Sequence, residues 1–316
     1  MRPIGPLYSP YKEAATHVHD PFSLTPIGTG GVPLLRQAFQ RVSPVPEDLA
    51  AFLAKESVDL EHSFFAWPAG GASSVPLGFI LLGVRSDDDG PRCSLRALAS
   101  LPGDVPGGPD PRPALLQAAL EAAAALGAGA VTAEARLTAN DAPTQPDAAL
   151  LEQAGFEQRG LLLSFSAASE RILSEPVYLQ VGLHEADPSE ILPWLAAFSR
   201  GLPPWAAQAE SIAQLRFPDL AYLMVASGTA AGYLAVTDPH LEEVSLLQIG
   251  VLPDVRRQQV AVGALQELLS SHDRIRRVQV PPLVREDDRD LRSFLQATGF
   301  EPAPLRRAEM ALTLQP

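Results

Sequence analysis

The chain has a single cysteine, Cys93, in 316 residues, so no intramolecular disulfide can form. Lysine is almost as scarce: Lys12 and Lys55 are the only two, and arginine carries nearly all the basic charge. Acidic residues outnumber basic ones by 37 to 24, giving a formal charge of −13 and a pI near 4.9. A field of that sign repels a phosphate backbone and excludes nucleic acid as a partner. Also missing is any uninterrupted apolar run of roughly 20 residues, so no membrane partner is expected. The first ten residues carry one arginine and no apolar stretch, unlike a secretory leader, and together with the lack of disulfides this predicts a cytoplasmic protein. There is no Gly-x-Ser-x-Gly elbow and no zinc signature. His17-x-His19-Asp20 lacks a second group of ligands at useful spacing and reads as a surface tail, so no metal is expected. Ile27-Gly28-Thr29-Gly30-Gly31 lacks both the Lys-Ser/Thr ending and the dinucleotide spacing, and reads as a flexible helix entry.

What is present is globular: 46% hydrophobic and 19% charged residues, in a chain longer than one core usually holds. Two domains of ordinary size are expected, and the same order of elements occurs twice. In the second half a strand over 177–183 leads to helices over 188–199 and 209–215. Three strands follow, at 221–226, 231–236 and 244–251, spaced as an antiparallel meander by Ser227-Gly228-Thr229 and Asp238-Pro239-His240. A helix from 258 to 271, a strand over 276–280, a helix over 288–298 and a strand near 307–314 complete the unit. The first half repeats this: strand 22–27, helices 32–39 and 47–55, strands 64–67, 77–84 and 93–101, helix 113–126, strand 130–135, helix 147–154. Both halves close on helix, glycine, phenylalanine: Ala154-Gly155-Phe156 and Thr298-Gly299-Phe300. Ser169–Pro176 reads as the linker, giving units 1–172 and 173–316.

The segment Val251-Leu252-Pro253-Asp254-Val255-Arg256-Arg257-Gln258-Gln259-Val260-Ala261-Val262-Gly263 resembles the acyl-CoA diphosphate loop of the GNAT superfamily of N-acetyltransferases. That pattern is a strand ending Val-x-Pro, then Arg/Gln-x-x-Gly-x-Gly/Ala, then a helix. The resemblance implies an α/β fold with a mixed sheet, in two tandem GNAT-type acyltransferase domains, and acetyl-CoA as co-substrate. It assigns the diphosphate to Arg256, Arg257, Gln258, Gln259, Val260, Ala261 and Val262, where a helix start offers unpaired N–H groups and the positive end of its dipole. The pantetheine arm would pair with the backbone of Ile249 and Val251, and Gly250 is compatible with a bulge there. Gln259 stands where the family has glycine, so its side chain either crowds the phosphate or demands a different backbone angle. Leu295 and Leu151 stand where the family often has a tyrosine acid.

The first copy departs further. Asp110 takes the phosphate-glycine position, Arg112 the second small position, and Pro109, Pro111 and Pro113 remove amide donors; a cradle at Gly107-Gly108 needs a shifted alignment. A degenerate first copy is expected. Amide formation needs a proton acceptor, and the candidates are Glu243, acting through water, and Ser245, on the same strand face. Charged residues at a strand entry are also ordinary solvent-facing positions. Phe64, Phe65, Trp67, Trp194 and Trp205 either line an acceptor pocket or fill the core. The activity these residues imply is acetyl transfer to a primary amine of a small molecule, by a monomer or homodimer. The alternative is a GNAT-fold binding or regulatory module that has lost transfer.

Overall fold

The computed structural model describes residues 17–19, 22–42, 48–69, 75–87, 90–101, 109–137, 141–198, 204–256 and 258–314. The first unit runs β1 (His17–His19), β2 (Phe22–Pro26), α1 (Val32–Val42), α2 (Leu49–Lys55), β3 (Phe64–Pro68), β4 (Gly78–Asp87), β5 (Gly90–Ser100), α3 (Arg112–Ala125), β6 (Ala130–Arg136), α4 (Ala148–Gln153) and β7 (Glu157–Ala168). After α5 (Ser169–Leu173) the order recurs as β8 (Val181–Ala186), α6 (Pro188–Phe198), α7 (Ala209–Ala213), β9 (Leu220–Ala226), β10 (Thr229–Val236), β11 (Glu243–Val251), α8 (Val260–Ser271), β12 (Arg277–Arg285), α9 (Arg289–Ala297) and β13 (Glu301–Thr313). Local chemistry sets the corresponding boundaries alike. Asp147 and Asp288 cap α4 and α9 by accepting the amides of Ala149 and Leu291. Gly155 and Gly299 then end the two helices with φ of 90° and 86°, a conformation glycine adopts without a Cβ clash.

The thirteen strands form one sheet in the order β1-β2-β3-β4-β5-β6-β13-β7-β12-β11-β10-β9-β8. The centre of that order is an exchange. The last strand of the second unit, β13, pairs with β6 of the first along Arg307–Thr313, and the last strand of the first, β7, pairs with β12 of the second. Side chains follow the backbone. Ala308 and Met310 of β13 sit in the core built on α3, while Phe165 and Ala167 of β7 sit in the core built on α8. In the ladder between β7 and β13, Leu161 stands opposite Ala308 and Leu163 opposite Arg306, so α3 and α8 cover the same face of the sheet. Separate clusters on the other face hold α1 with α2 and α6 with α7.

Three expectations change. The linker at 169–176 is in part the helix α5, with Ile172 fully buried and its carbonyl accepting Gln266 Nε2 at 2.9 Å. The bulge expected at Gly250 lies at Leu247: Ala235 pairs with Gln248 and Val236 with Leu246, so Leu247 is the extra residue and Gly250 pairs normally with Tyr233. Arg96 is the matching extra residue of β5, between Ala97 and Leu95. Finally, the second unit's first strand begins at Val181 rather than at 177.

The units are also joined across the second face. Trp205, placed in sequence terms between core and acceptor pocket, lies 4.0 Å under the Arg85 guanidinium and donates Nε1–H to the carbonyl of Glu56 at 3.0 Å. Arg85 is 4% exposed and donates to Gln208 Oε1 (2.8 Å), Ser211 Oγ (2.6 Å), Ser57 Oγ (3.0 Å) and the carbonyls of Trp205 (2.9 Å) and Lys55 (3.1 Å). Burial pulls this guanidinium down to about 10, against the raising charges of Glu210 and Glu56, so it stays charged at neutral pH. Arg85→Met strips donors from several buried acceptors at once and is expected to cost about 3 kcal/mol in urea unfolding. A loss below about 1 kcal/mol would mean that Arg85 does not hold the two units together.

Candidate functional site

Each unit has one place where a sheet opens. β5 and β6 run parallel and pair only over Cys93–Leu95 with Val131–Ala133, and β11 and β12 pair only over Glu243–Ser245 with Arg277–Gln279. Beyond those residues the strands diverge and leave one edge of β5 and of β11 facing a gap. Strand alternation identifies the groups on that edge. Leu101 N–H donates to Leu77 across to β4, so the Leu98 amide points into the first gap. Leu252 N–H donates to Ala231 across to β10, so the amides of Ile249 and Val251 point into the second. Leu98 and Ile249 are therefore equivalent positions.

The first gap is filled by the chain itself. Residues 141–147 run through it like a short strand: Leu98 N–H donates to Thr144 O at 2.8 Å, and Arg136 N–H to Pro146 O at 2.9 Å. A buried chain of charges locks this strap in place. Arg307 of β13 holds Asp141 through Nε and Nη2 at 2.8 and 2.9 Å and reaches Glu134 at 3.4 Å. Glu134 faces Arg96 at 3.7 Å, and Arg96 pairs with Glu56 at 2.7 Å. The start of α3 is occupied too. The Asp110 carboxylate accepts the Arg112 amide at 3.0 Å and pairs with its guanidinium at 2.7 Å. Burial alone would raise this carboxyl, but the hydrogen bonds and charge of Arg112 hold it below its usual range.

Among the described residues no segment fills the second gap in this way. β5 is buried from Cys93 to Ala99, whereas every residue of β11 from Leu247 to Val251 is partly exposed. At the start of α8 the first intrahelical bond is Gly263 N–H to Gln259 O, so the amides of Val260, Ala261 and Val262 open outward from the helix start. The two gaps thus differ in kind, one closed by backbone and charge and the other offering unpaired N–H groups on a strand and at a helix end. Among the described residues no three His, Cys, Asp or Glu side chains gather to hold a metal, and no helix is long and apolar enough to cross a membrane.

No family model and no curated protein matches this chain. Solved structures do. A tandem GNAT protein from the clavulanic acid biosynthesis pathway, solved without acetyl-CoA, aligns at 18% identity over 93% of this chain and 98% of its own, with a TM-score of 0.62. A GCN5-related N-acetyltransferase from Kribbella flavida aligns at 12% identity over 93% and 71%, with a TM-score of 0.60. Another from Anabaena variabilis aligns at 12% over 93% and 73%, with a TM-score of 0.59. The chain has the tandem GNAT fold.

Within that GNAT fold the residues singled out from sequence fall into two groups. Ile249 and Val251 lie on the open edge of β11, and Gln258, Gln259, Val260, Ala261 and Val262 lie at the start of α8, with Arg256 donating Nε–H to Val251 O at 3.1 Å between them. Arg257 is outside the described residues, as are Asp20 and Gly107-Gly108. Glu243 and Ser245 are not brought to the gap. Glu243 is six residues before Ile249, about 20 Å along an extended strand. Its carboxylate is taken by Gln279 Nε2 at 2.7 Å and lies 3.6 Å from Arg277. Ser245 is four residues before Ile249, and both candidates alternate with Val244 and Leu246, so they face α6 and α7. Leu295 and Leu151 are fully buried core residues, so neither unit has an acid there. Strap residues Asp141 and Thr144, and the partners Glu56, Arg96, Glu134 and Arg307, escaped sequence reading because each is a long-range contact with no spacing signal.

Gln259 resolves a sequence ambiguity. Its φ of 62° and ψ of 17° are left-handed, a conformation that glycine takes easily and a side chain takes under strain. Its amide turns toward 176–178, donating to Pro176 O at 3.0 Å and accepting from Tyr178 N at 3.3 Å. Gln259→Gly removes the backbone strain with those bonds, whereas Gln259→Ala removes the bonds and keeps the strain. The glycine variant should therefore be more stable than the alanine variant by about 1 kcal/mol in denaturant unfolding; equal stabilities would contradict a left-handed Gln259.

Proposed function

We propose that the chain is an N-acetyltransferase with one working site, in the second unit, residues 173–316, and that the first unit, residues 1–172, is a degenerate copy. The observation that carries this reading is the contrast at equivalent amides. Leu98 N–H is taken by Thr144 O at 2.8 Å, while Ile249 stands on a partly exposed edge facing an unfilled gap. The donor set of the second gap fits acetyl-CoA. The amides of Val260, Ala261 and Val262 would hold the diphosphate, with Arg256, Arg257, Gln258 and Gln259 around it, and Ile249 and Val251 would pair with the pantetheine arm. When bound, acetyl-CoA supplies the acetyl group as a thioester.

The chain's own part is to position and to accept charge. With acetyl-CoA bound, Ile249 N–H would be placed to offset the negative charge that develops on an acyl oxygen as the amine attacks. The C–N bond would form as the C–S bond breaks, the thiolate leaving with the coenzyme; the proton shed by the amine would pass to solvent at the exposed edge of β11, and Glu243, at the far end of that strand beyond Ser245, would be its acceptor at a distance. The acceptor is a primary amine of a small molecule, and the net charge of −13 favours the approach of such a cation. Transfer is direct: the second unit has no cysteine, and Cys93 is buried with its thiol pushed up to about 11. A cytoplasmic site, where thioester and thiol are both at hand, accords with this. The alternative module without transfer describes the first unit alone, whose gap and helix start are both occupied by its own groups.

Initial-rate kinetics with a panel of small amines test the reading. Double-reciprocal plots should intersect, as a ternary complex requires; parallel lines would indicate an acyl-enzyme and overturn direct transfer. Glu243→Gln should lower kcat by about tenfold, less than loss of a base in direct contact, because several waters intervene. An unchanged kcat and pH profile would remove Glu243 from the path.

A further inference from the structure

The far end of α8 frames a second cleft of about 340 Å³. Its floor is apolar, formed by Leu183 of β8, Leu220 of β9 and Leu268 of α8. Tyr222 forms a buried wall, and Phe217 stands at the rim, 79% exposed. The polar groups are Glu185 of β8, His240 from the turn between β10 and β11, Ser271 at the end of α8, and His272, which follows it. The two imidazoles meet edge to face with centroids 5.5 Å apart, and Tyr222 Oη lies 3.5 Å from His272 Nε2.

The carboxylates at this cleft have no lysine or arginine beside them among the described lining residues. Glu185 supplies a carboxylate, Asp238 lies close to the histidine pair and accepts the His240 amide at 2.9 Å, and α8 ends over the cleft with the negative end of its dipole. Burial, then the neighbouring His240, hold His272 below its ordinary value against the opposing pull of Asp238. An aromatic face beside a carboxylate is an arrangement that attracts an ammonium group, and three leucines beside them accept an apolar arm.

We propose that this cleft binds a small organic ammonium ion, its aromatic or aliphatic arm on Leu183, Leu220 and Leu268 against Phe217 and its ammonium between Glu185 and Tyr222. This is a site apart from acyl transfer. Tyr222, Leu234 and Ile249 stand opposite one another on β9, β10 and β11, so the cleft lies about 10 Å across the sheet from Ile249, with the fully buried Leu234 packed between them in the core under α8. The inference does not depend on the acetyltransferase reading, since binding is expected without acetyl-CoA.

Isothermal titration and amide chemical-shift mapping of the intact chain with phenethylammonium, against its neutral isostere phenethyl alcohol, test it. The ammonium should bind at least about tenfold more tightly than the alcohol. Shifts should centre on Tyr222, His240 and His272. Glu185→Gln should bring the ammonium down to the affinity of the alcohol, and Phe217→Ala should weaken both; both side chains are exposed, and an unchanged Tm reports that each variant folds. No binding, equal affinity for the two probes, an ammonium affinity untouched by Glu185→Gln, or shifts centred on Ile249 would each overturn the proposal.

Discussion

Removing residues 301–316 abolishes cooperative folding of both units, not of the second alone. β13 is the strand taken away, and its ladders run to β6 on one side and β7 on the other. Its loss splits the sheet at the centre and leaves two long edges open to aggregation. It also empties part of the first unit's core, where Met310 and Ala308 are fully buried. Those side chains alone contribute about 3 kcal/mol, a large share of the roughly 5–15 kcal/mol by which a domain is stable. By the same exchange, fragments 1–174 and 175–316 should fail to unfold cooperatively when made separately and should assemble when co-expressed. Circular dichroism melts and size exclusion read both outcomes. A sharp melt for residues 1–300 within a few degrees of the full chain would contradict the exchange of strands.

The second large effect separates the two gaps chemically. Ile249→Pro removes one of the two strand N–H groups directed into the second gap, that of Ile249, while sparing the ladder to β10, because that amide points away from β10. Acetyl transfer should fall by about 10² to 10³, the usual cost of one oxyanion donor. Leu98→Pro is the matched change in the first unit. It removes the bond to Thr144, and proline at that amide presses on the strap, so stability should drop by about 1–3 kcal/mol while kcat is unchanged. The prediction is crossed: activity is lost with one variant and stability with the other. Equal kinetic effects of the two would mean that both gaps work, or neither.

Much of this architecture was legible in the sequence because it is written locally. The meander over β9 to β11 follows from β-rich runs separated by Ser227-Gly228-Thr229 and Asp238-Pro239-His240, and the helix starts and stops from Asp147, Asp288, Gly155 and Gly299. The helix start after Val251-Leu252-Pro253 was legible for the same reason. Exchange of β7 and β13 was not, since a strand has the same alternation whichever neighbour it joins. Phe156 and Phe300 look identical in sequence and do enter matching cores, but the strands that follow them cross over. The strap was also hidden. Residues 141–147 carry the turn composition of an ordinary loop, and only Arg307, far along the chain, gives Asp141 its partner. Glu243 fared differently: its place on the strand face was readable from alternation, whereas its distance from Ile249 and its bonds to Gln279 and Arg277 needed the folded chain.

The central claim is that one gap of the two takes acetyl-CoA, because the other is occupied by the chain's own backbone and charge. Isothermal titration of acetyl-CoA into the intact protein tests it most directly. The account predicts one molecule bound per chain, with binding weakened in Ile249→Pro, which loses a pantetheine contact, and kept in Leu98→Pro. Two molecules per chain, or binding that is undiminished in Ile249→Pro and disappears with Leu98→Pro, would contradict it.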